Sequence, residues 1–207
     1  MDIVAEIKKD FPTFNITVMT VILETDITDP ADIIDIATIN GKKPTKKFYN
    51  SYDMKLKFGD SKLTLKMFKN GKIHVTGCKS FDLIDKLIDY IKQKKPNSTI
   101  SEPKICMINT HVKIADQICL EDLQNVINTE GIEEEKKEKS IHSAIYQPCR
   151  YQGLKASYNG LNTGSANGSA KILVFTSGYA CIISKNIKDI QKALTDLNKL
   201  ITNNTNV

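Results

Sequence analysis

An internal repeat constrains this chain more than any other feature of its sequence. Leu65-Lys66-Met67-Phe68-Lys69-Asn70-Gly71-Lys72 aligns with Ile172-Leu173-Val174-Phe175-Thr176-Ser177-Gly178-Tyr179 at an offset of 107 residues, and the same offset pairs Leu83 with Ile190, Leu87 with Leu194 and Tyr90 with Leu197. Few letters are identical, so the repeat is one of pattern: a supersecondary unit used twice. Each copy reads as an alternating strand, a tight Asn-Gly or Ser-Gly turn, a second strand and an amphipathic helix. The 207 residues are thus expected to divide into two halves, 1–100 and 101–207, that together make one domain.

Working outward, the first copy opens with a strand near Phe14 to Leu23 and a short helix started by Asp29-Pro30, whose Ile33, Ile34 and Ala37 recur at helical spacing. Strands follow as a meander from Phe48 to Cys78. Ser80 is the expected N-cap of a helix over 81–94, with Leu83, Ile84, Leu87, Ile88 and Ile91 as its apolar stripe. The second copy repeats the order: strand 104–114, helix 119–129, meander 151–184, helix 187–201, after a connector from Pro96 to Pro103. Residues 131–139 (GIEEEKKEK) read as a solvated loop or helix extension, and 159–169 as a Gly/Asn/Ser-rich hairpin loop.

Composition excludes several classes. With 41% apolar residues there is enough to bury a core, and no apolar run reaches the roughly 18–20 residues that cross a bilayer. Five Cys without a C-x-x-C, and three His without ligand spacing, give no disulfide scaffold or zinc site, so no metal or other cofactor is expected, and a reducing compartment is the default. His74 and Cys78 lie four apart on an expected strand, with the same parity, but nothing completes an acid/base pair, nucleophile or metal set, which argues against an enzyme.

Charge is unevenly placed. Between Lys42 and Lys72 there are ten Lys against Asp53 and Asp60, a local net of +8. Two readings stand side by side: a surface for a polyanion, whose condensed counterions each Lys would release, or a solvated strand surface that deters edge pairing.

Met67-Phe68-Lys69-Asn70-Gly71-Lys72-Ile73-His74-Val75-Thr76-Gly77-Cys78-Lys79-Ser80 is close to the F-x-S-G-K-x-x-x-T-G-A-K-S stretch of the TATA-box-binding proteins, and Val174-Phe175-Thr176-Ser177-Gly178 echoes it in the second copy. From about Phe14 to Ile201 the chain resembles that family. Phe48-Tyr49-Asn50-Ser51, Asn70-Gly71 with Cys78, and Tyr146-Gln147-Pro148 before Tyr151-Gln152-Gly153 look most like the divergent forms in large cytoplasmic DNA viruses. The resemblance implies an α+β saddle: two pseudo-symmetric repeats forming a curved antiparallel sheet, with helices on the convex face. It also implies a transcription-initiation factor that binds and bends AT-rich promoter duplex DNA through the minor groove. Proteins of that family are the type case of apolar side chains wedged between base steps, with flexible steps such as TA the cheapest to deform. General transcription factors and RNA polymerase subunits are the implied protein partners, with the factor a monomer on DNA. The setting would be intracellular: a host-cytoplasm viral factory or the nucleus, with packaging in the virion a further option.

The residues fit a sheet that shows one face to helices and the other to a ligand. Leu63, Leu65, Met67, Ile73 and Val75 take the core parity, while Thr64, Lys66, Phe68, Lys72, His74 and Thr76 take the other. In the second copy Ile172, Val174 and Ile182 face inward; Leu173, Phe175, Cys181 and Ile183 face the concave surface. By resemblance Phe68 and Phe175 are wedges, with Phe48 (or Tyr49) and Tyr151 as their outer partners. The concave surface takes Asn15, Lys66, His74, Thr76, Leu173, Cys181 and Ile183, and Lys46, Lys47, Lys57, Lys69, Lys72 and Lys79 are the phosphate candidates. The family places an Asn centrally in each half. Asn15 meets that pattern only with a slip of about two residues, and the second copy offers Ile105 or, out of phase, Asn109. A second function remains open: a protein-interaction module that kept the fold and lost DNA binding, its apolar concave face covered by a partner chain.

Overall fold

Alternation of apolar and polar residues, interrupted by Gly turns, builds ten strands and five helices in a computed structural model that describes residues 3–38, 45–48, 50–129, 141–159 and 169–204, without the side chains of 45–48 and 204. In chain order these are α1 (Ile3–Asp10), β1 (Asn15–Glu24), α2 (Pro30–Ala37), β2 (Thr45–Phe48), β3 (Ser51–Phe58), β4 (Ser61–Phe68), β5 (Lys72–Cys78), α3 (Asp82–Lys94), β6 (Lys104–Lys113), α4 (Leu120–Thr129), β7 (Ile141–Gln147), β8 (Tyr151–Tyr158), β9 (Ala170–Phe175), β10 (Tyr179–Ser184) and α5 (Ile187–Asn204). The two stretches read as insertions lie almost wholly outside the described residues.

The chain forms two compact units. One is Val18–Met107; the other joins Met1–Thr17 to Ile108–Val207. The amino-terminal helix thus travels with the second repeat, where α1 packs on α5, burying Ile7 and Phe14. Thr13 fastens the same segment by donating its hydroxyl to the Lys113 carbonyl and accepting from the Lys113 N–H at 2.9 Å.

In the first unit the strands run β2-β3-β4-β5-β1, all antiparallel; in the second they run β6-β10-β9-β8-β7. Helices cover one face of each sheet: α2 lies on β3, and α5 on β9 and β10. Burial follows the period of two. Leu63, Leu65, Met67, Ile73 and Val75 are at most 1% exposed, Leu83, Ile84, Leu87 and Ile91 of α3 are buried as well, and Ile172, Val174 and Ile182 are fully buried with Ile190, Leu194 and Leu197 of α5. Filling each of these positions with an aliphatic side chain contributes about 1.5–3 kcal/mol relative to exposure.

The repeated turns are held alike. Gly71 and Gly178 have φ of 80° and 77°, and a Cβ on either would run into a backbone carbonyl, that of Thr25 or of Ala115. Only glycine reconciles that backbone with that approach.

Three local expectations change. Ser80 does not cap α3: the cap position falls to Phe81, which makes no side-chain cap bond, and the Ile84 and Asp85 N–H groups reach the Phe81 carbonyl instead. Asp29 does cap α2, accepting from the Ala31 N–H at 2.8 Å. A bulge at Gly77 (φ 90°), where Met19 pairs with Cys78 but Thr20 with Thr76, reverses parity at the end of β5. Cys78 is therefore fully buried, its thiol pushed up to about 11 by burial, while His74 lies on the other face. The second meander also begins earlier than expected, at β7. There Ser143 has φ 57° and the register with β8 shifts twice, so the strand has no clean alternation. Asn128 of α4 holds it, donating to the Ala144 carbonyl and accepting from the Ala144 N–H at 3.0 and 3.1 Å.

Candidate nucleic-acid interface

The face of each sheet that the helices leave open carries the side chains of the opposite parity. In the first unit, register sets Lys57 against Lys62, Lys55 against Thr64, Thr64 against Thr76, and Lys66 against His74; β1 adds Thr20 opposite Thr76 and Ile22 opposite His74. Lys57, Lys62, Thr64, Lys72 and Thr76 are exposed, and Lys66, Phe68 and His74 half-buried. Five Lys on one side of three adjacent strands make this face basic. Acids stand among them: Asp53 lies opposite Lys66 in the register, and Lys72 meets Glu24 at 3.8 Å, an ion pair weak in water. Of the other phosphate candidates, Lys79 is exposed just past β5 and Lys69 sits half-buried at the turn, where its N–H bonds the Asn50 carbonyl. The side chains of Lys46 and Lys47 lie outside the described residues.

The open face of the second unit is more apolar. Cys181 pairs with Leu173, Ile183 with Lys171 and Asn109, and Tyr179 with Lys113. Leu173, Phe175, Tyr179, Cys181 and Ile183 are all half-buried, with no helix above them among the described residues. Burial raises the Cys181 thiol pKa. His111 stacks on Tyr179, centroids 4.6 Å apart and rings 13° from parallel. Lys113 is tied to Asp116 at 2.8 Å, and Lys171 donates to the Ser157 hydroxyl at 2.8 Å.

Each face ends in an aromatic cluster. Phe68 leans on His74, centroids 4.8 Å apart, and Phe175 meets Tyr151 edge-on at 6.1 Å. Lys155 places its ammonium 4.5 Å from the Tyr151 ring centre, within cation–π range. The registers Ser51–Phe68 and Gly153–Phe175 are equivalent pairs. Counting back two residues from each gives Tyr49 and Tyr151, so the sequence counterpart of Tyr151 is Tyr49 rather than Phe48. The backbone of Phe48 pairs with Ser51; its side chain and all of Tyr49 are outside the described residues.

Asn15 is exposed at the start of β1, within the second unit, and Thr17 on its side donates to the Asn109 carbonyl at 3.0 Å. The equivalent bonds Thr25 N–H to Gly71 and Ile114 N–H to Gly178 fix the offset of β1 and β6 at 89 residues. Thr20 and Asn109 are therefore the matching positions, and an Asn occupies only the second of them. Sequence reasoning passed over Thr20, Ile22, His111, Tyr179, Lys155 and Lys171. Their strands were legible, but which of them share an open face depends on register.

No family model matches the chain. Its structure is similar to the TBP of Methanococcus jannaschii, with a TM-score of 0.59 over 92% of this chain and 98% of that one at 19% identity. The fold is therefore that of the TATA-box-binding proteins, the α+β class that the resemblance implied. In sequence it is 28% identical over 202 residues to a TATA-box-binding protein-like protein of Acanthamoeba polyphaga mimivirus, a match covering 84% of this chain and 54% of that one, so the chain spans about half the length of that relative. In fold and in sequence, then, the chain is similar to TATA-box-binding-protein-like proteins.

Proposed function

We propose that the protein binds duplex DNA through the open sheet faces, inserts Phe68 and Phe175 between base steps from the minor groove, and bends AT-rich promoter DNA so that transcription factors and RNA polymerase subunits assemble on it, inside the cell in cytoplasm or nucleus. The observation that carries this reading is the recurrence, at equivalent strand ends of both units, of a half-exposed Phe on the helix-free face, with Lys on the strands alongside. A partly exposed aromatic at the rim of an open sheet is costly for a purely structural role and suited to a base step, where unstacking costs roughly a few kcal/mol and the widened groove gains contact area. The lysines supply attraction independent of sequence, and the deformability of the duplex supplies preference for sequence.

Fluorescence transfer between the ends of an AT-rich duplex tests the reading. Wild-type protein brings the ends together, and the Phe68→Ala/Phe175→Ala variant, folded by circular dichroism, leaves them apart. A wild-type protein that binds no duplex, or binds it straight, overturns the reading in favour of an interaction module whose apolar second face is covered by a protein.

A further inference from the structure

We propose that Gly153 is a positioning residue: its missing side chain lets the rings of Tyr151 and Phe175 close on each other and stand as one aromatic pair on the open face of the second unit. The inference rests on the reading of that face as a DNA-contacting surface and adds what sets the shape of one of its wedges.

Gly153 lies directly across from Phe175 in the β8–β9 register and shares its parity with Tyr151, two residues earlier. A Cβ there would sit 2.8 Å from Cε1 of Tyr151, and 2.9 and 3.2 Å from Cε1 and Cδ1 of Phe175. Those distances are inside van der Waals contact, so a methyl group and the present ring positions exclude one another. The backbone gives no competing reason for glycine. Among the described residues the positive-φ glycines are Gly59, Gly71, Gly77 and Gly178, and Gly153 is not one of them. Space alone is what glycine supplies, and the two rings fill it in an edge-to-face geometry at 61° that such pairs favour.

The first unit shows the alternative. Across from Phe68 stands Ser51, which has a Cβ, and Phe68 leans along its own face on His74 instead. The glycine is thus a property of one end and not of the fold. Because the obstructed atoms are ring edges on rotatable side chains, an alanine at 153 displaces the rings without unfolding the sheet.

The test uses the full chain with an AT-rich duplex carrying 2-aminopurine at either of the two kinked steps, where unstacking raises its fluorescence. Gly153→Ala is expected to bind about tenfold more weakly and to lose the fluorescence rise at one step while keeping it at the other. Tyr151→Ala should weaken binding similarly, and the Gly153→Ala/Tyr151→Ala double variant should be no worse than Tyr151→Ala, since the two changes act through one ring pair. In the free protein, nuclear Overhauser effects between Tyr151 and Phe175 should vanish in Gly153→Ala with the melting temperature little changed. Unchanged Overhauser effects, equal loss at both steps, or additive effects of the two substitutions overturn the positioning role. A wild-type protein that brightens neither probe overturns the DNA reading instead, and the Overhauser effects in the free protein then decide the role of Gly153 by themselves.

Discussion

In the first unit Phe68 stands against an imidazole, in a field of lysines, and faces a serine across the sheet. In the second Phe175 stands against a phenol over a glycine, on a face of Leu173, Cys181 and Ile183. The backbone positions are equivalent and the surroundings are not. A duplicated fold fixes where a side chain emerges, and each copy is then free to choose what supports it. The first unit offers mainly long-range attraction, falling off with salt; the second offers apolar contact, which salt hardly touches.

The largest expected effect tests whether both ends act. Replacing both Phe68 and Phe175 by Ala should abolish bending. Each single change should weaken duplex binding tenfold or more, on the order of 1–3 kcal/mol for removing one aromatic ring from a base stack, read by titration. If one single variant binds as wild type, only one unit engages DNA.

Next comes a test in which the two units should not differ. Gly71→Ala and Gly178→Ala each force a side chain into the left-handed region, costing about 1–3 kcal/mol, with a carbonyl clash in addition. Urea denaturation should show both strongly destabilised; a clear inequality would mean that one repeat has relaxed its turn.

Salt dependence separates the faces more finely. Changing Lys57 or Lys72 to Gln should reduce the slope of log K against log salt by about 0.9 for each phosphate that is no longer neutralised. Changing Lys113, already engaged by Asp116, should leave the slope alone. Equal slopes in all three would remove the distinction between a basic and an apolar unit.

The smallest effect belongs to the second unit alone. His142 on β7 is half-buried with Nδ1 lacking a partner among the described residues, and burial first, then Lys171, lowers its pKa below the ordinary value near 6.5. The folded state holds the neutral ring, so below about pH 6.5 the unfolded chain binds the proton first and stability falls as pH falls; above that pH the group contributes no slope. Melting curves at pH 5 and 7.5 should show this drop, reduced in His142→Gln. An undiminished drop assigns it to other groups.

Much of this was legible in the residues. Phe68 and Phe175 mark the repeat, period-two patterning placed Lys66, His74, Thr76, Leu173, Cys181 and Ile183 on the open side, and Asp29-Pro30 announced α2. Ser80 misled because a good cap residue is only an offer, and the turn after Cys78 placed Phe81 at the helix start instead. Strand β7 was hidden because a positive φ at Ser143 and two register shifts erase alternation.

By itself, then, the sequence determined that one unit is used twice, which faces its strands present and which turns demand glycine, since these follow from local sterics and from periods of 2 and 3.6. Tertiary structure decided who stands across from whom: Gly153 beneath Tyr151 and Phe175, Cys78 turned inward by the bulge at Gly77, α1 carried over to the second repeat. Those outcomes depend on pairing register and on packing between distant segments, and no local pattern encodes them because a slip of one residue reverses a whole face.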